Sequence, residues 1–102
     1  MMIRLFMRKV REHPKLTELM KIVPGYREEI GECIKRFKNL DFGNLSDEEL
    51  CENTEAIAQE SGLLQSCYVT SWGILAIMTN FDTQITTLCF MQIMPKGSHF
   101  GF

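Results

Sequence analysis

The sequence is poor in the residues that most often do chemistry. It has two histidines, His13 and His99, one near each end, and a single tryptophan. A metal site wants His, Cys or carboxylates at characteristic spacing. Cys33, Cys51, Cys67 and Cys89 stand far apart, with no C-x-x-C. A thiol nucleophile needs a base beside it, and neither histidine is near a cysteine in sequence. No G-x-G-x-x-G, no G-x-x-x-x-G-K-[ST] and no G-x-S-x-G occurs, so phosphate loops and a nucleophile elbow are missing. Glu28-Glu29 and Glu48-Glu49 are paired carboxylates, but they lie on charged, solvated faces, where nothing tunes a catalytic pKa. No residue is therefore nominated as catalytic, cofactor-binding or metal-ligating, and no cofactor is expected.

Charge is also missing in places. Residues 39–60 hold seven acids and no base, and residues 61–102 hold only Asp82 and Lys96. Ten of the eleven bases fall in residues 1–38, beside five acids. The formal net charge of −2 is thus the sum of a basic third, an acidic segment and an uncharged remainder. The near-neutral total gives no general attraction to nucleic acid or anionic lipid. Hydrophobic residues at 45% exclude a disordered chain, and 102 residues suit one domain. Met1–Val10 carries Arg4, Arg8 and Lys9 and lacks a clean signal-peptide core. With no secretory context, reduced thiols and a cytoplasmic location are the expectation.

Local patterns read as helix. Ile3, Phe6, Met7 and Val10 fall at helical spacing and predict a helix ending near Glu12, before Pro14. Leu16, Leu19, Met20 and Val23 give a second short stripe, closed by Pro24-Gly25. Tyr26, Ile30, Cys33, Ile34 and Phe37 give a third, opposite a charged face, with acids early and bases late as the helix dipole favours. Leu45-Ser46-Asp47-Glu48-Glu49-Leu50 reads as a capping box with a staple. It predicts a helix from Asp47 to about Glu60 showing Leu50, Thr54, Ile57 and Ala58 inward.

Gly62–Phe81 is twenty residues without charge. It is read as a buried helix, with a membrane span and a strand pair as alternatives; Tyr68, Val69, Thr70 and Trp72 favour strand, and its length reaches the span threshold. Thr83–Met94 is compatible with helix or strand and is read as a last helix, ended by Pro95. The expected fold is all-α: five or six helices in a small irregular bundle over residues 1–102. Basic helices occupy 1–38, a capped acidic helix 46–60 and uncharged helices 62–94, followed by a tail, 95–102. The concentration of apolar residues in the last forty suggests a fragment of a larger protein.

The stretch from His13-Pro14-Lys15-Leu16-Thr17-Glu18-Leu19-Met20 through Leu45–Leu50 and the following helix resembles a helical region of phosphoenolpyruvate-utilising phosphotransferases, the group of phosphoenolpyruvate synthase and rifampin phosphotransferase-like proteins. There an L-S-D-x-E-L helix start precedes an uncharged helix, matched here by Leu45–Leu50 and Gly62–Phe81. The resemblance implies a non-catalytic scaffold or linker whose parent is an ATP-dependent phosphotransferase. Ser98-His99 lacks the glycine-rich, aliphatic surroundings of the family's phosphohistidine, so no catalytic residue carries over. Two alternatives stand beside it: an interaction module that covers 62–94 by oligomerisation or with the rest of a larger polypeptide, and a small membrane-associated protein. Nucleic acid is not an expected partner.

Overall fold

The computed structural model describes residues 9–93. The chain runs β1 (Val10–Glu12), α1 (Pro14–Ile22), α2 (Tyr26–Lys38), α3 (Asp47–Gln59), β2 (Leu63–Val69), β3 (Gly73–Asn80) and β4 (Ile85–Ile93). The strands form one sheet in the order β1-β4-β3-β2. β2, β3 and β4 are antiparallel neighbours, and β1 closes the sheet in parallel with β4.

The all-α bundle is thereby corrected to an α/β fold of three helices and a four-stranded sheet. Gly62–Phe81 is not a buried helix. It forms β2, a tight turn and β3, and Ile85–Ile93 is β4 where a last helix was expected. Burial alternates along β2, with Leu64, Ser66 and Tyr68 buried between more exposed neighbours, the period-two pattern of a strand. The turn is held by Thr70, whose backbone N–H donates to the Gly73 carbonyl at 2.9 Å. Its hydroxyl donates to the same carbonyl at 2.7 Å. The helix expected to end near Glu12 is also corrected: Val10–Glu12 is a strand, and Met1–Arg8 and the tail 95–102 lie outside the described residues. Among the described residues, no helix is long and apolar enough to cross a membrane.

The three helices form for the expected local reasons. Pro14 opens α1 at a position where its missing N–H costs nothing, and the His13 side chain caps it by accepting from Lys15 N–H at 3.1 Å. α2 buries Tyr26, Ile30, Cys33 and Phe37, the expected stripe. α3 starts at Ser46 with both halves of the capping box in place. Its inward face differs from expectation. Asn53 and Ala56 are the buried residues, whereas Leu50, Thr54 and Ala58 are exposed, about one residue's rotation from the predicted stripe.

The core lies between α1, α2 and the inner sheet face. Leu16, Tyr26, Ile30 and Phe37 pack there with Leu64, Tyr68, Leu75, Ile77 and Leu88. Two buried tyrosines fasten the layers: Tyr26 Oη meets Thr70 Oγ1 at 2.7 Å, and Tyr68 Oη donates to the Asp41 carbonyl at 2.7 Å. Gly43 brings the loop before α3 against β2. Its φ of +73° is left-handed, and a Cβ there would collide with the Cys67 carbonyl oxygen, so only glycine fits.

Candidate functional site: the outer face of the sheet

With α1 and α2 on the inner face, the outer face and the two edge strands, β1 and β2, remain. The β2 edge is closed at its middle. The Asn53 amide donates to Gln65 O at 2.7 Å and accepts from Gln65 N–H at 3.0 Å, as a neighbouring strand would. Two residues along, Cys67 N–H donates to Phe42 O and Asn44 N–H to Cys67 O. These contacts occupy the edge-facing backbone groups of Gln65 and Cys67, the middle of the edge through which a foreign strand would add.

Among the described residues, no helix lies across the outer face: α3 runs along β2, and α1 packs toward β4 from the inner side. β2 contributes Leu63, Gln65, Cys67 and Val69 to it. In register across β3 stand Asn80, Met78, Ala76 and Ile74. β4 adds Ile85, Thr87 and Cys89. Gln65, Asn80 and Thr87 are the polar members of this set. A solvated sheet face ordinarily alternates toward polar residues, and this one does not. Val69 is 56% exposed and Met91 66%. Met91 sits where the β3–β4 register shifts beside Ile74 and Leu75, so the irregularity turns an extra apolar side chain outward.

The middle of the face is a row of three small side chains, Cys67–Ala76–Cys89, on adjacent strands. Ala76 forms the floor of a depression of about 220 Å³. Its walls are Cys67, Cys89, Met78, Met91 and Leu45, with Asn44, Gln65 and Glu49 at the rim. Burial pushes the Cys67 and Cys89 thiols above the ordinary thiol range, so both are protonated near neutral pH and behave as small apolar groups.

The other reactive side chains have structural partners or none nearby. His13 caps α1, and His99 lies outside the described residues. Glu29 accepts from the Ser71 N–H at 2.8 Å. Glu49 accepts from Ser46 N–H at 2.9 Å, and this capping contact holds its carboxyl below the usual range. Cys33 is in the core and Cys51 exposed on α3. Among the described residues, no group of three or more His, Cys, Asp or Glu side chains converges as a metal site would. A second hollow, of about 460 Å³, runs between α3 and the start of β2, lined by Glu52, Glu55, Gln59, Leu63 and Gln65 among others.

The outer face was hidden in the sequence because its residues are as apolar as those of the inner face. A strand with one wet face announces itself by alternation; Leu63–Val69 offers little. The available signal was the run of strand-favouring residues at Tyr68–Thr70, next to a tail without charge. No family model, no curated protein and no solved structure matches this chain, and nothing in these comparisons links it to the phosphotransferases.

Proposed function

We propose that this chain is a protein–protein docking module whose working surface is the outer face of its sheet. The observation that carries this reading is the uncovered apolar surface across β2, β3 and β4, with Val69 and Met91 more than half exposed. Contiguous exposed apolar surface of this kind marks interaction sites. The soft thioethers of Met78 and Met91 adapt to a partner's shape. The partners of Gln65 and Cys67 disfavour strand addition at the middle of the β2 edge. The phosphotransferase resemblance retains its helical stretches at His13–Met20 and Leu45–Leu50, and the uncharged helix it also needs is a hairpin here.

Thiol alkylation of the dilute, monomeric chain tests the reading. Cys67 and Cys89 are expected to react faster than buried Cys33, with exposed Cys51 as the upper reference. An environment-sensitive apolar dye should bind the wild-type chain and lose most of its signal with Val69→Lys plus Met91→Lys. Cys67 and Cys89 as slow as Cys33, together with no dye binding, would overturn the docking face.

A further inference from the structure

The rim of the outer face carries opposite charges on its two sides. On the β1 side stands Arg11. Its register opposite Thr87 puts it on the outer face, because Thr87 pairs with outward Met78. Arg11 is exposed and forms no ion pair with another described residue. On the β2 side stand the acids of α3. Glu52 accepts from the outward Gln65 amide at 3.1 Å, and Glu49 borders the depression over Ala76. The apolar centre therefore has a basic margin and an acidic margin, separated by the width of the sheet.

Resting on the docking-face reading, we infer that the occupant is a second copy of this chain, bound face to face about a two-fold axis parallel to the strands. A two-fold interface brings one patch against itself. With the axis along the strands, β1 of each copy lies over β2 and α3 of the other. Each Arg11 then meets the partner's Glu49 and Glu52, and the pairing occurs twice. With the axis across the strands, Arg11 would meet Arg11 and acid would meet acid, which like-charge repulsion disfavours. Charge selects the orientation, and burial of the apolar centre supplies the cohesion.

The dimensions agree. Strands of 3, 7, 8 and 9 residues at about 4.8 Å spacing and about 3.3 Å per residue, widened by α3 at about 10 Å, give a footprint of about 600 Å². Standard interfaces bury about 600–1,000 Å² per partner. Two sheets so stacked also have the aligned geometry in which sheet faces ordinarily pack.

Sedimentation equilibrium of the full chain, from low to high micromolar concentration, is the test. The expected result is a monomer–dimer equilibrium that weakens with added salt. Arg11→Glu and Glu52→Arg, both at exposed positions, should each raise the dimer Kd by about tenfold or more. The double variant Arg11→Glu/Glu52→Arg restores opposite charges between positions 11 and 52 at both symmetric contacts, with Glu49 left facing the new acid at position 11, and should bring the Kd well below that of either single variant. A dimer indifferent to both single reversals overturns the assignment, and so does failure of the double variant to recover. A monomer at every concentration also overturns it, with alkylation then separating two cases. If Cys67 and Cys89 still react readily, the docking face survives and its occupant is a different chain. If they are protected in the monomer, the docking-face reading falls as well.

Discussion

Asn53 is 1% exposed on a helix whose flanking residues Glu52 and Thr54 are exposed. A primary amide that deep needs partners for its donor and its acceptor. It finds them in one residue, because Gln65 presents N–H and C=O toward the β2 edge at the spacing an amide spans. The same contact fixes the rotation of α3 and keeps the edge closed. Asn53→Leu keeps the volume and removes both bonds, leaving two backbone groups of Gln65 without their protein partners. Each such group costs about 1–3 kcal/mol, so the variant should lose about 2–4 kcal/mol in urea unfolding. A loss below about 0.5 kcal/mol, the size of an ordinary surface substitution, would mean that water replaces the amide and that Asn53 does not close the edge. The partner lies twelve residues away in sequence, beyond any capping or helical spacing rule. That distance is why the predicted inward face of α3 chose Leu50, Thr54, Ile57 and Ala58.

At the scale of elements, legibility follows periodicity. α2 was readable because its charged and apolar residues separate cleanly around the helix, and Tyr26, Ile30, Cys33 and Phe37 are buried as that separation requires. The start of α3 was readable from chemistry local to six residues. Ser46 Oγ accepts from Glu49 N–H at 3.2 Å, and Glu49 Oε1 accepts from Ser46 N–H at 2.9 Å. Ser46→Ala should cost about 1 kcal/mol in a thermal or urea melt. An unchanged midpoint would show that Asp47, Glu48 and Glu49 hold this helix end through the dipole alone. Strand stood only as an alternative to helix over 62–94, because β2, β3 and β4 carry apolar residues toward both the core and the outside. Without an apolar–polar alternation, a strand and a buried helix have the same signature. The misreading of the hairpin and the docking face thus have one cause: the outer face is apolar. The β3–β4 connection shows what local chemistry was available. Asn80 Oδ1 accepts from Asp82 N–H at 2.9 Å and Thr83 N–H at 3.1 Å, an Asx turn of the kind that side chain favours.

For the whole molecule, the charge blocks occupy separate places. The acids of α3 lie along β2, at one margin of the sheet, and Arg11 lies on β1 at the other. Among the described residues, the side-chain ion pairs Lys35–Glu32 and Arg36–Asp41 lie within α2 and between α2 and the following loop, and neither reaches α3. Both are exposed and contribute little, so acidification should remove little stability even though Arg36 and the Gly43 N–H hold the Asp41 carboxyl below its usual range. The alkaline side is different, because the ionisable groups there are in the core. Burial pushes the Cys33 thiol from 9.0 up to about 11 and the Tyr68 phenol from 10.0 up to about 12. In the unfolded chain both ionise at their ordinary values, whereas the folded chain keeps them neutral longer. The unfolded state therefore binds fewer protons in this window, and stability falls as pH rises. The contribution from Cys33 is whole below about 9 and is lost by about 11; Tyr68 carries the loss on toward about 12. Urea midpoints measured from neutral pH upward should stay level and then decline through this window. Tyr68→Phe should start lower, having lost the bond to the Asp41 carbonyl, and decline less steeply above pH 10, where the phenol's ordinary ionisation begins. A wild-type midpoint that stays level to pH 11 would mean that water reaches Cys33, and with it that the layer between α2 and the inner sheet face is looser than its packing describes.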